Sequence, residues 1–255
     1  MSRKRIVIKD DKALDGMRES GRLAASVRDK VADAIAPGVN TEELGEYAHE
    51  LIKGFGAESA FLGYMGYPGQ ICVSVNEAVV HGIPGNQRIE LGDIVSLDIG
   101  VEYGGYIGDT ARTVMVGVTD SEVIRLVRTT EKALYAGISK AKKGGRLSDI
   151  SHAIEEVALG EGFSVVKDFV GHGIGRSMHE DPQIPNFGKP GHGPVLKEGM
   201  TMCFEPMINM GKSGVEVLED GWTVVTKDRS LSAHFEHTVA VRAGESEILS
   251  VGRNY

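Results

Sequence analysis

Four acids and one histidine carry the chemistry legible in this chain: Asp98, Asp109, His172, Glu205 and Glu236. Asp98 closes the apolar run Ile94, Val95, Leu97, and Asp109 follows a glycine turn at Gly104 and Gly105, so LGDIVSLDIGVEYGGYIGDT (91–110) reads as strand, turn and strand. In a hairpin the two carboxylates face each other across adjacent strands, and two acids that close repel unless a cation lies between them. Any one of these acids taken alone reads as an exposed or capping residue. Asp98, Glu205 and Glu236, however, each terminate or interrupt an apolar run (SLDIG, MCFEPM, AHFEHTVAV), where a carboxylate is costly unless paired or metallated. The set is hard and oxygen-dominated, which suits Mn(II), Fe(II), Co(II), Zn(II) or Mg(II) rather than Cu(I) or an iron–sulfur cluster. Four carboxylates carry enough charge for two divalent ions about 3.5–4 Å apart, a pair able to bind and activate one water.

His172 sits in GHGIG, where neither neighbour has a side chain to keep the imidazole from a ligand. GHGIG lacks the lysine of a phosphate-binding loop and the dinucleotide pattern. His81 in HGIP and His179 in SMHE lie beside the same strands and suit roles next to the ligands, donating to a substrate carbonyl or stabilising an oxyanion. His234 and His237 bracket Glu236, with His237 expected on the opposite side of its strand. His49, His152 and His192 read as surface residues. Phe61, Tyr64, Tyr67, Cys72 and Trp222 supply aromatic and soft surface, which reads either as a pocket or as ordinary core; Tyr64 and Tyr67, in a glycine-rich loop, are the better pocket candidates.

The elements that must position these residues follow from periodicity. Residues 11–36 carry Leu14, Met17, Gly21, Ala24, Val27, Val31 and Ile35 at helical spacing, and Pro37-Gly38 stops that helix. A second helix starts at Asn40 or Thr41 and runs to Gly54, Asn40 and Glu43 having capping-box spacing. Residues 71–75 form a short strand before the hairpin. Thr119 and Glu122 form a second capping pair ahead of a long helix that ends at Gly144-Gly145, and another helix runs from near Ser148 to Gly160. Short strands follow at 163–166, 200–207, 222–225 and 237–241, with Pro182 to Pro194 read as an ordered surface loop. The pattern helix, helix, strand, acid recurs: residues 37–44 align with 143–150, and Gly92-x5-Asp98 aligns with Gly199-x5-Glu205. Two similar α/β halves with a site where their sheets meet are therefore expected, within one catalytic domain (1–255, halves about 11–118 and 119–250).

The bulk composition narrows the class. With 255 residues, 41% hydrophobic and 25% charged, the chain has length for a sizeable core. A net charge of −8 argues against a nucleic-acid binder; the one basic cluster, Arg3-Lys4-Arg5 with Lys9 nearby, reads as a flexible tail or a dock for ribosomal RNA. Cys72 and Cys203 stand alone in apolar runs and read as reduced buried thiols. There is no apolar leader and no run of 18 apolar residues, so a cytoplasmic protein without membrane or DNA contact is expected, as a monomer.

With those residues in view, the chain resembles the type I methionine aminopeptidases end to end, through ICVSVNEAVVHGIP, GDIVSLDIGVEYGGYIGDT, GHGIGRSMHEDPQIPNFG, MTMCFEPMIN and SAHFEHTVAV. The resemblance implies an α+β pita-bread fold of the creatinase/aminopeptidase kind, with two pseudo-twofold-related α/β halves around a curved antiparallel sheet. It also implies removal of the initiator methionine from nascent polypeptide N-termini when the second residue is small, with transient ribosome contact. Two divalent ions, with Co, Mn, Fe and Zn all possible, would be held by Asp98 on one side, His172 and Glu205 on the other, and Asp109 and Glu236 bridging. His81 would lie near the scissile amide nitrogen or incoming amine and His179 near the carbonyl oxygen, while Glu205 takes a proton from water and passes it to the leaving amine. The methionine pocket would comprise Tyr64, Tyr67, Cys72, Met178 and Trp222, edged by Phe61. Departures are Met178, where an aromatic is familiar, Phe61, where cysteine is common, and Cys203, where threonine is familiar. A form without the Cys/His-rich zinc-binding extension, like the short bacterial one, is expected. Alternatives are a proline-directed aminopeptidase or dipeptidase of the same fold and a non-catalytic binding relative, which would be expected to lose ligands.

Overall fold

The computed structural model describes residues 6–252. In chain order, helices α1 (Asp11–Asp33) and α2 (Thr41–Gly54) lead into β1 (Glu58–Ser59), β2 (Cys72–Val75), β3 (Ala78–Val80) and the long hairpin β4 (Ile94–Tyr103) and β5 (Tyr106–Met115). Helices α3 (Ser121–Lys140) and α4 (Leu147–Gly160) lead into β6 (Ser164–Val165), β7 (Gly171–Gly173), β8 (Glu180–Ile184), β9 (Thr201–Phe204) and β10 (Met207–Asn209). The remaining strands are β11 (Val215–Val217), β12 (Val224–Thr226), β13 (Ser232–His234), β14 (Glu236–Ala240) and β15 (Glu247–Ile248). Each helix pair thus precedes strands that carry an acid, but the first strand does not stop at it: Asp98 lies in the middle of β4, which runs on to the hairpin turn, whereas β9 ends beside Glu205.

The main sheet has nine strands in the order β1-β4-β5-β14-β9-β7-β8, with β2 on β4 and β15 on β14. Its pairings are antiparallel, and β14, late in the chain, lies between the hairpin of the first half and β9 of the second. One face is covered by helices. Leu23, Ala24, Val27 and Val31 of α1 pack with Val95, Leu97, Ile99 and Val101 of β4, while Leu126, Leu134, Ile150 and Ile154 of α3 and α4 pack with Met202, Phe204 and Val239. Those strand residues alternate with Asp98, Cys203 and Glu236, so burying them against helices turns the acids to the other face. Close approach is built in where α1 crosses β5: a Cβ at Gly108 would lie 2.3 Å from the Gly21 nitrogen. Two smaller sheets, β13-β10-β6 and β11-β12-β3, complete the fold.

Several local expectations shift. The cap of α3 is Asp120, whose side chain accepts from the Glu122 N–H, rather than Thr119. At α2 the Asn40 side chain accepts from the Glu43 N–H as the spacing predicts. The 182–194 loop yields a strand at its start, because β8 pairs with β7 and carries its backbone groups into the sheet. The 200–207 run breaks at Glu205-Pro206 into β9 and β10, which join different sheets. Arg3, Lys4 and Arg5 lie outside the described residues. Lys9 is buried and ion-paired with Glu180, so it belongs to the folded body instead of a tail. Among the described residues no helix is long and apolar enough to cross a membrane.

Candidate active site

Two cross-strand rows on the face away from the helices build the site. In the first, Cys72 on β2 pairs with Asp98 on β4, Asp98 with Ala111 on β5, and Ala111 with Glu236 on β14. In the second, Gly100 pairs with Asp109, and Cys203 on β9 lies between Thr238 on β14 and His172 on β7. The Thr238 hydroxyl closes this row by accepting from the Asp109 N–H at 3.0 Å and donating to the Asp109 carbonyl at 2.8 Å. Asp98 and Asp109 are therefore diagonal neighbours on one face, not directly opposite. The hairpin turn that sets this register has φ of 61° at Gly104 and 75° at Gly105, the left-handed pair of a two-residue turn matched to strand twist. From the helix side, buried Arg28 donates to the Thr110 hydroxyl at 2.6 Å, and Thr110 donates to the Glu236 carbonyl at 2.9 Å, tying α1 to the strands that carry Asp109 and Glu236.

The glycines around His172 serve the neighbouring backbones. A Cβ at Gly171 would meet the Cys203 carbonyl at 2.3 Å, and one at Gly173 the Asp181 carbonyl at 2.2 Å. Packed this tightly between β9 and β8, β7 points His172 at the acids, with Nε2 3.5 Å from Glu205 Oε1 and 3.8 Å from Asp109 Oδ2. The other ring nitrogen, Nδ1, lies 3.0 Å from the Gly173 carbonyl and donates to it, which leaves the lone pair of Nε2 toward the carboxylates.

Burial makes this cluster electrostatically unstable by itself. Asp109 and Glu236 are each 2% exposed, and one oxygen each of Asp98, Asp109 and Glu236 is buried without a hydrogen-bond partner. Desolvation pushes the Asp98 carboxyl up to about 7. Burial, reinforced by the surrounding acids, pushes Asp109, Glu205 and Glu236 well above the usual carboxylate range. His172 moves the other way, down to about 3 through burial, and so is neutral and ready to ligate. Orphaned lone pairs, acids that resist ionisation and a neutral imidazole form a donor set that divalent cations fit: they would satisfy the oxygens and offset the charge.

All of these residues open onto one cavity of about 190 Å³, together with Phe61, Tyr64, Tyr67, Cys72, Met178, Trp222, His81 and His179. Its far end is apolar. The Tyr67 and Trp222 rings meet edge to face at 5.2 Å, and the Phe61 ring fills the space that Gly100 leaves beside Asp109. Tyr67 is more deeply set than its glycine-rich surroundings suggest, because its hydroxyl donates to the Ile71 and Gly82 carbonyls and draws the ring into the core. His179 lies over His172, ring centroids 4.3 Å apart, with Nδ1 2.7 Å from the Tyr64 hydroxyl. His81 has φ of 60°, a strained backbone for a residue with a side chain, and packs edge-on against Phe169 and Trp222. Burial lowers both histidines, His81 to about 4, with His179 adding to the effect on His81. His237 turns to the helix face, toward Tyr135 and Ser250. Phe169 was not singled out from sequence. Its signal was an aromatic three residues before His172, in a segment otherwise read as connection.

Comparison with known proteins agrees with this geometry. Residues 15–243 match the family described as metallopeptidase family M24. The chain is 48% identical over 245 residues to methionine aminopeptidase 1 of Bacillus subtilis, covering 96% of this chain and 99% of the relative. The crystal structure of methionine aminopeptidase from Thermotoga maritima superposes with a TM-score of 0.95 at 45% identity, covering 96% of this chain and 99% of that one. Prolidase from Pyrococcus furiosus shares the fold at a TM-score of 0.78 and 22% identity, over 98% of this chain and 66% of that one.

Proposed function

Because the chain belongs to metallopeptidase family M24, we propose that it removes N-terminal methionine from nascent proteins and peptides whose second residue is small, in the cytoplasm and beside the ribosome. The observation that carries this reading is the cavity in which an apolar, aromatic-walled end adjoins four clustered acids, three of which, Asp98, Asp109 and Glu236, present an orphaned oxygen. An unbranched thioether side chain suits that end: it is flexible, polarizable and attracted to aromatic edges.

Asp98, Asp109, His172, Glu205 and Glu236 would hold two divalent ions. Ions bound there supply Lewis acidity and activate water for attack on a carbonyl. The protein's own groups do the rest. Tyr64 donates its hydroxyl proton to His179 Nδ1, so Nε2 carries the hydrogen and donates to the scissile carbonyl oxygen as negative charge develops there. Glu205, its proton affinity raised by burial, Asp109 and Asp98, takes the proton of the attacking water and delivers it to the departing amine. His81, fixed by its strained backbone between Phe169 and Trp222, faces the amide nitrogen side. Phe61, Tyr67, Cys72, Met178 and Trp222 exclude water from the methionine side chain.

The test is hydrolysis of Met-Ala-Ser, Met-Leu-Ser and Ala-Pro peptides by metal-stripped protein, with Mn(II), Fe(II) or Co(II) returned separately. Methionine released from the first peptide alone, and with metal alone, supports the proposal. Cleavage of the proline peptide alone reassigns the chain to a proline-directed activity, and silence of folded protein with every metal overturns catalysis.

A further inference from the structure

Two thiols border the metal centre, and the sheet gives them different neighbours. Cys72 ends the row that contains Asp98 and faces the apolar cavity. Cys203 lies inside the other row, between Thr238 and His172. Ligand atoms of Asp109, His172, Cys203 and Glu236 all lie within 4.8 Å of one another, a spread that one ion with bonds of about 2.0–2.3 Å draws together with small side-chain movements. Two members of this quartet, Asp109 and Glu236, each present a buried oxygen with no hydrogen-bond partner. The Thr238 hydroxyl, 3.6 Å from Cys203 Sγ, already spends its proton on the Asp109 carbonyl, so it offers the sulfur lone pairs nothing.

Resting on the reading of these acids as a metal centre, we propose that Cys203 is a sixth donor, its thiolate ligating the ion held by Asp109, His172 and Glu236 and biasing the centre toward cobalt(II) and zinc over manganese. A thiolate is a soft donor among hard ones. It strengthens bonds to borderline ions and adds little for manganese, which carboxylate and water oxygens suit better. Geometry also explains why the second thiol is excluded: Cys72 sits beyond Asp98, at the opposite end of the site from His172.

The test is optical. Cobalt(II) is titrated into the metal-stripped full chain, with bound metal measured by equilibrium dialysis and the near-ultraviolet region watched for sulfur-to-cobalt charge transfer. The band is expected in the native protein and in Cys72→Ala, and is expected to vanish in Cys203→Ser while cobalt still binds. Cys203→Ser should also weaken zinc by about tenfold or more and leave manganese within about twofold. Cobalt bound to native protein without the band overturns the proposal even if the serine variant misfolds. Persistence of the band in Cys203→Ser, or equal weakening of zinc and manganese, overturns it too, the latter leaving a packing role. Failure of native folded protein to bind cobalt at all would instead remove the metal-centre reading, and this proposal with it.

Discussion

The imidazole of His179 is held from one side by the Tyr64 hydroxyl and lies over His172 without being placed to share its ligand position. Its loss should therefore separate chemistry from metal binding. His179→Ala is expected to lower kcat by about 10²–10³-fold with metal content unchanged, as for removal of one oxyanion donor; Tyr64→Phe should give a smaller loss in the same direction. Steady-state kinetics with metal analysis on the same samples checks both. The acids make a second prediction. In the metal-free fold each holds its proton more tightly than in the unfolded chain, where carboxyls titrate near 4. Raised folded values mean that the stability these carboxyls contribute is fully present below about pH 4 and is lost as pH rises through the folded pKa values, about 7 for Asp98. Metal-stripped protein should thus melt progressively lower between about pH 7 and pH 8, above the range where the buried histidines, depressed in the fold, give the opposite slope as they titrate in the unfolded chain near 6.5, and metal-loaded protein should lose most of that slope. Thermal melts across this range, with and without metal, measure it; a flat profile for the stripped protein would contradict the assigned burial. At this scale the cluster of buried acids was legible because acids in apolar runs stand out. Phe169 and the depth of Tyr67 were not, since an aromatic next to glycine looks the same in a core, a loop or a pocket.

Elements transmit these positions through backbone contacts more than through side chains. Where α1 crosses β5, Gly21 and Gly108 bring two backbones together one residue from Asp109, and a methyl group at position 108 would overlap the α1 backbone. Gly108→Ala is expected to cost about 1–3 kcal/mol by overpacking. It should also weaken metal binding, because a shift of β5 that relieves the clash moves Asp109. Denaturant unfolding and metal dialysis on the same variant test this, and a variant destabilised with unaltered metal affinity would show that β5 is held by its strand partners alone. Helix positions were legible from periodicity, and the cap of α2 from its Asn40–Glu43 spacing. The cap of α3 was misread by one residue because Thr119 and Asp120 are both good capping residues, and local chemistry does not choose between them. β8 was missed for a different reason: its sequence, EDPQI, has no alternation, and its pairing with β7 is a tertiary fact.

Across the whole molecule the proposed ligands come from both halves, with Asp98 and Asp109 from the first and His172, Glu205 and Glu236 from the second. Ions bound there cross-link the halves as well as serving chemistry. With free metal at about 100 times its dissociation constant, stability should rise by about 2.7 kcal/mol. For a chain of this size that corresponds to a melting temperature higher by roughly 5–10 °C. Calorimetry should show one transition moving as a unit; a shift confined to part of a split transition would mean that the halves unfold separately. The paired halves were legible from the internal alignment, since a recurring order of helices and acids survives even where few residues match. Which strands would meet in the middle was not, because register between distant segments leaves no local trace. That arrangement has a consequence for the enzyme's own birth. β14 occupies the centre of the sheet yet follows β5 and β9 in the chain, so those strands have no partner between them until residues 236–240 emerge from the ribosome. Synthesis therefore times activation: a growing copy cannot trim its neighbours, or itself, until β14 has been made.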